Sequence, residues 1–271
     1  MAAESSNAGE RMVDYSDVSF RIEGAVARIT VARPDKLNAY RDQTADQLLQ
    51  AFRRAEADES VRVVLLTGAG RAFGAGYDLS VIKPETMPEL DRVLEVHFNP
   101  LIRFMRASRL PIVCAVNGPC AGAAVGVALA TDIVVAARSA YFYEPFVGIA
   151  LVPDAGNTLF LPRLAGRIRA APAMLLGDRI GAEEALSWGL VWRVVDDAVL
   201  TAEVDAISAR LAERAPSAVA ATKRLVKAAS DVGLEDHLDL ERDLQGAAGR
   251  SPEMKTAVAA FFAQRRKADA R

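Results

Sequence analysis

The stretch Asn117–Ile133, NGPCAGAAVGVALATDI, decides how this chain is read. Before it, Leu110–Val116 is an apolar run of the kind that forms a buried strand. Asn117-Gly118-Pro119 signals a turn. Ala121-Gly122-Ala123-Ala124 carries almost no side chain, and Val125–Ala130 is expected to continue as a helix. A helix that begins on Gly and Ala leaves its first N–H groups uncovered, and the helix dipole adds positive charge there. Such an end suits an oxygen that becomes negative during a reaction. Gly122, Gly126 and Ala130 recur every fourth residue and leave one helix face bare. An interior Gly costs about 1 kcal/mol relative to Ala, so something must approach that face closely. Either a bound ligand or tight packing against a neighbouring element fits.

Working outward, a second Gly-rich segment repeats the theme. Val61–Thr67 reads as a strand, and Gly68-Ala69-Gly70-Arg71-Ala72-Phe73-Gly74-Ala75-Gly76-Tyr77-Asp78 follows it directly. It lacks the Gly-Lys-Ser/Thr ending of a nucleotide-binding loop and is too long for a dinucleotide fingerprint. Gly74-Ala75-Gly76 leaves the backbone N–H of Tyr77 accessible. Two strand–turn–helix units of this kind suggest a repetitive β-β-α spiral rather than a doubly wound sheet. Earlier still, Val18–Glu23 and Ala25–Val31 flank Gly24 as a hairpin. Asp42 can cap a helix from about Gln43 to Ala57, with Ala45, Leu48, Leu49 and Phe52 on one face. Leu79–Glu89 reads as a mobile loop. Leu90–Ala107 reads as a helix kinked at Pro100.

Downstream come strands at Ile133–Ala136 and Ala140–Phe146, then the loop Gly148–Gly156. Helices are expected at Asn157–Leu164, from about Ile168 and at Ile180–Trp188, with a strand at Val191–Val195. The rest is helical: Thr201–Glu213, Pro216–Ala229, Leu234–Ala248 and Pro252–Lys267, two of them opening on Pro, which a first helical turn tolerates. The chain therefore divides into a loose tail (1–16), a core (17–200) and a helical C-terminal region (201–271).

Composition excludes several classes. The 271 residues carry a net charge of −2, with no basic stripe for nucleic acid. Cys114 and Cys120 are too few for a disulfide framework or a zinc site. The apolar run Ile112–Ala137 is broken by Asn117-Gly118-Pro119 and Thr131-Asp132, so no membrane span is expected. The N-terminus is polar and acidic, unlike a signal peptide. A cytoplasmic location is the expectation.

Four segments in this order, GAGRAFGAGYDL, AVNGPCAGAAVGVALATDI, FVGIALVPDAG and GDRIGAEEALSWGLVWRVV, resemble the crotonase superfamily, the enoyl-CoA hydratase/isomerase group. The resemblance runs from about Val18 to the C-terminus. It implies an α/β fold with a β-β-α spiral core, a C-terminal helical trimerisation region, and homotrimers or dimers of trimers. It also implies an acyl-CoA substrate and no separate cofactor, coenzyme A being part of that substrate. The two oxyanion-hole N–H groups fall on Tyr77 and Ala123, matching the reading of both Gly-rich segments. The two glutamates of the hydratases fall on Gly126 and Phe146, neither of which moves a proton. Water addition needs one group to activate water and another to protonate carbon, so ordinary hydration is expected to be very slow.

Pro153-Asp154-Ala155-Gly156 resembles the loop that carries the catalytic acid in members that move a double bond. Asp154 is therefore the candidate proton shuttle. Its position before a helix equally suits an N-cap. Glu144 is a candidate replacement acid, disturbed by Pro145, with a solvent-facing or paired role as its plainer alternative. His97 is expected to be structural, and Cys120 has nothing nearby to depress its pKa. The resemblance places CoA along Ala72–Gly76 and Lys36–Asn38, with Lys36 or Arg71 near phosphates. It also places Phe261, Phe262, Arg265 or Arg266 of a neighbouring subunit near the nucleotide. Ala72, Gly74, Ala75, Gly76, Gly122, Gly126, Phe146, Lys36 and Phe262 are thus the expected substrate-binding residues. With both glutamates absent, an acyl-CoA-binding protein with little turnover is the alternative.

Overall fold

The computed structural model describes residues 4–7, 10–82, 85 and 87–269. Its strands in chain order are β1 (Glu4–Asn7), β2 (Glu10–Asp14), β3 (Val18–Glu23), β4 (Val26–Val31), β5 (Val63–Gly68) and β6 (Ile112–Val116). They continue with β7 (Pro119–Ala121), β8 (Ile133–Ala137), β9 (Tyr141–Tyr143), β10 (Ile180–Gly181) and β11 (Arg193–Val195). The main sheet has the order β1-β2-β3-β4-β5-β6-β8-β11, and a smaller one has the order β10-β9-β7. From β1 to β4 the pairing is antiparallel. From β4 to β11 it is parallel.

The patterns explain that switch. β3 and β4 alternate buried and less buried positions, as strands with one face on a core do, and Gly24 turns between them at φ 59°. β6 is buried at every position, as a parallel strand covered on both faces must be. The Asp42–Ala57 helix puts Ala45, Leu48, Leu49 and Phe52 into the core, as its spacing predicts. Asp42 does not cap it. Arg41 is the N-cap, and its main-chain N–H donates to Thr44 Oγ1 at 3.2 Å.

Several boundaries differ from expectation. Glu4–Asn7 and Glu10–Asp14, placed in a loose tail by composition, form β1 and β2, and β2 pairs with β3. The first compact unit runs from Met1 to Ala212 and the second from Glu213 to Arg271. The Leu200–Ala212 helix belongs to the first because Leu200, Val204 and Ile207 are buried in its core. The 90–107 helix takes a π-turn at Leu94–Phe98 rather than a sharp kink at Pro100. Pro100 cannot donate to the carbonyl four residues back and crowds it, and the wider turn absorbs both effects one turn earlier. Of the expected loop over 79–89, Lys83, Pro84 and Thr86 lie outside the described residues. Among the described residues, no helix is long and apolar enough to cross a membrane.

Because β5 and β6 are parallel neighbours, their C-terminal ends share one edge of the sheet. The loops 68–78 and 117–122 both leave from that edge, the usual place for a site in such a sheet.

Candidate active site

Two polar side chains lock these loops. Asn38, fully buried and at φ 54°, donates from Nδ2 to the carbonyls of Ala69 (2.8 Å) and Ala72 (2.6 Å) and accepts from the N–H of Arg33 (2.9 Å). Asn117 donates to the Gly70 carbonyl at 2.9 Å. Neither was singled out from sequence as a structural clamp. The signal available was an Asn in a turn, which tolerates the left-handed region and bonds nearby backbone.

The loops then meet. Gly74 pairs with Cys120 in β7, and Tyr77 pairs with Tyr40. Gly76 (φ 84°) and Gly122 (φ 55°) face each other. A methyl added at Gly122 would lie 3.3 Å from Gly76 Cα, and one added at Gly76 would lie 3.2 Å from the Ala121 carbonyl oxygen. The helix starts at Ala123, two residues before the expected Val125, because Gly122 makes the turn into it. Gly122 itself is held on both sides: its N–H donates to Tyr143 O at 2.9 Å, and its carbonyl accepts from Asn157 Nδ2 at 3.0 Å. Among the described residues, the N–H groups of Tyr77 and Ala123 donate to no other group of the chain. The Tyr77 hydroxyl turns away to donate to Asp42 Oδ1 at 2.9 Å.

Of the two alternatives left open for the bare helix face, tight packing is the one seen at Gly126. A Cβ on Gly126 would stand 2.3 Å from the Ala155 carbonyl oxygen. At Gly126 the bare helix face is therefore filled by Ala155 of the chain's own 154–156 loop. Phe146 does lie against the turn: its Cζ would be 3.7 Å from a methyl on Gly122.

That loop presents Asp154. The N-cap of the Asn157–Ala165 helix is Gly156 at φ 86°, with no side-chain cap, and it is the main-chain carbonyl of Asp154 that accepts from Asn157 N–H. The capping role is therefore not taken by its carboxylate. Oδ1 of Asp154 is buried with no hydrogen-bond partner among the described residues. Burial pushes this carboxyl up to about 6, opposed by its own main-chain N–H.

Glu144 is corrected. It is neither solvent-facing nor paired. β9 ends at Tyr143, Pro145 leads into a short 3-10 turn at Phe146–Ile149, and Glu144 is left 1% exposed. Both its carboxylate oxygens are buried without a partner among the described residues. Burial, with the Asp154 charge adding to it, pushes its carboxyl up to about 9.

The remaining candidates are placed as follows. Ala72 and Gly74 are buried, and Ala75 is half-buried. Lys36 and Arg71 are exposed, on turns that meet where Gly70 approaches Pro34 Cβ. His97 Nδ1 bonds Asp46 Oδ1 at 2.8 Å. Burial pushes the Cys120 thiol up, which leaves it unreactive. Phe261 and Phe262, both exposed, meet edge-on at 5.6 Å in the second unit. A cavity of about 360 Å³ borders Gly68, Gly70 and Asn117 but touches none of Tyr77, Ala123 or Asp154. Among the described residues, no cluster could hold a metal ion.

The two unclaimed N–H groups and a partly buried carboxyl pushed up to about 6 lie on segments joined through Gly122 and Asn157. The enoyl-CoA hydratase/isomerase family pattern matches residues 21–269. The chain belongs to that family. It is 41% identical to the 1,2-epoxyphenylacetyl-CoA isomerase of Escherichia coli K12 over 247 residues, which is 90% of this chain and 94% of the relative. It is 38% identical to a probable enoyl-CoA hydratase of Rhodobacter capsulatus, over 93% of this chain and 97% of the relative. A solved Geobacillus kaustophilus enoyl-CoA hydratase subunit superposes with a TM-score of 0.86 at 34% identity, over 92% of this chain and 96% of that one. The α/β crotonase fold expected from the sequence is the fold observed.

Proposed function

We propose that this protein moves a double bond within an acyl-CoA thioester, with Asp154 as the proton shuttle. The observation that carries the reading is the state of Asp154: a buried carboxyl oxygen with no partner, in a loop bound through Asn157 to the turn that carries the Ala123 N–H. A buried polar group left unpaired in a folded chain calls for an explanation, and a catalytic role is one.

The chemistry balances with one base. Asp154 takes the proton from the α-carbon of a 3-enoyl thioester. The negative charge passes from the carboxylate to the thioester oxygen, which the N–H groups of Tyr77 and Ala123 hold as an enolate. One such donor is worth about 3–4 kcal/mol in the transition state. The protonated Asp154 then returns its proton at the γ-carbon, and the double bond lies between the α- and β-carbons. A carboxyl near 6 is ionised at neutral pH yet basic enough for the first step. Hydration is disfavoured because Gly126 and Phe146 carry no acid, and Gly126 has no room for one. The isomerase name of the Escherichia coli relative points the same way, while the hydratase name of the Rhodobacter relative points to the competing reaction.

The test is product analysis with trans-3-hexenoyl-CoA and trans-2-hexenoyl-CoA. The expected result is conversion of the first to the second, with little 3-hydroxyacyl-CoA, and loss of conversion in Asp154→Asn. Brisk hydration of the 2-enoyl substrate that survives Asp154→Asn would overturn the reading.

A further inference from the structure

Glu144 has no place in the mechanism above, yet it is the more deeply buried of the two carboxyls. Three carboxylate oxygens, both of Glu144 and Oδ1 of Asp154, are buried and unpartnered among the described residues. They sit on two segments that converge on Gly122. Tyr143, next to Glu144, accepts the Gly122 N–H, and Asn157, three residues after Asp154, donates to the Gly122 carbonyl. Among the described residues, these three oxygens accept a hydrogen bond from no cation. Cys120 in β7 and Asp154 in its loop are close enough to Glu144 to interact with it through charge. Arg179, beside β10, stacks 4.5 Å above the Tyr141 ring and 6.0 Å from that of Tyr143. On the helix that follows β10, Glu183 is turned to Arg138.

Of two like carboxyls close enough for the charge of one to raise the other, the second ionises only at higher pH. We propose that Glu144 and Asp154 form a carboxyl pair carrying one negative charge at neutral pH, in which Glu144 keeps its proton while Asp154 serves as base, and the ionisation of Glu144 sets the alkaline limit of activity. Glu144 is in this sense a positioning residue: it acts through the charge state of Asp154. Burial, reinforced by the Asp154 charge, is the force that holds the proton on Glu144. When that proton leaves, a second negative charge stands beside the site where the enolate charge must form. The transition state is then opposed by repulsion, and the protonated Asp154 releases its proton to the γ-carbon less readily.

The inference rests on Asp154 as base, and the experiment separates the two. The pH dependence of kcat with trans-3-hexenoyl-CoA is measured for the wild type and Glu144→Gln, each normalised to its own maximum. Glutamine keeps the shape of the neutral acid and cannot ionise. The expected result is an alkaline limb that moves up by about one pH unit or more in Glu144→Gln. Superimposable alkaline limbs would overturn the proposal. Should Glu144→Gln not fold, the second measurement is the carboxyl titration of Glu144 by ¹³C NMR in wild type and Asp154→Asn, the latter removing the neighbouring charge. A lower midpoint in Asp154→Asn supports the pair, and an unchanged midpoint overturns it. If Asp154→Asn keeps full activity, the shuttle itself fails. If it is inactive while the alkaline limbs coincide, only the role of Glu144 fails.

Discussion

Gly126 tests the architecture of the site most sharply, because a side chain there and the loop that carries Asp154 compete for the same space. In Gly126→Ala, helix propensity alone favours the variant by about 1 kcal/mol. Against that, the new methyl would stand 2.3 Å from the Ala155 carbonyl oxygen and 2.9 Å from its carbon. These are main-chain atoms, so no side chain can swing away. The 154–156 loop must retreat by about 1 Å, and overpacking of this kind costs about 1–3 kcal/mol. The net expectation is a loss of up to about 2 kcal/mol, a Tm lower by a few degrees. The effect on rate is larger. A displacement of about 1 Å in a reacting group costs on the order of 100-fold, so kcat for 3-enoyl-CoA isomerisation should fall by about that factor while KM changes little. Calorimetry with steady-state kinetics on Gly126→Ala and Gly126→Glu reads both. A Gly126→Ala protein with wild-type kcat would refute the reasoning. So would a Gly126→Glu protein that keeps the wild-type Tm and gains rapid hydration.

Other outcomes follow from the same geometry. Asp154→Asn should lower isomerisation by about 100- to 10,000-fold and yet raise stability at pH 8 by about 1–3 kcal/mol, seen as a higher Tm, because it removes a charge held largely out of water. The sign comes from linkage. The carboxyls of Asp154 and Glu144 hold protons more tightly folded than at their ordinary values of 3.8 and 4.5. Their stabilising contribution is full below those values and is lost as pH rises through about 6 and about 9. Denaturant titrations between pH 4 and 9 check this, and rising stability over that range in wild type relative to the Asp154→Asn, Glu144→Gln double variant would contradict it. Gly122→Ala forces an L side chain to φ 55° and 3.3 Å from Gly76 Cα, so kcat should fall by about 100- to 1,000-fold through misaligned N–H groups. Asn38→Ala strands the Ala69 and Ala72 carbonyls and should cost about 1–3 kcal/mol in chemical unfolding.

The fold was legible where composition and geometry coincide. β3 and β4 alternate, β6 is wholly apolar, and the Asp42–Ala57 helix shows one apolar face. The two tight turns before Tyr77 and Ala123 were legible because glycine is the residue that permits φ 84° at Gly76 and φ 55° at Gly122. What the sequence hid was long-range. Nothing local says that the bare face of Gly126 is filled by Ala155, twenty-nine residues on. Glu144 looked like a surface acid because its burial depends on Pro145 ending β9 and turning the chain inward. Asp154 carried two local readings, cap and base, and the position of Gly156 as N-cap removes the first.

The central claim is that one carboxylate, Asp154, carries the same proton from the α- to the γ-carbon. The direct measurement is conversion of trans-3-hexenoyl-CoA deuterated at the α-carbon, in ordinary water, with the position of the label in the product read by NMR. The account predicts deuterium at the γ-carbon of 2-hexenoyl-CoA from the wild-type protein, and no such product from Asp154→Asn. A γ-carbon free of label, formed at an unchanged rate by Asp154→Asn, would contradict it.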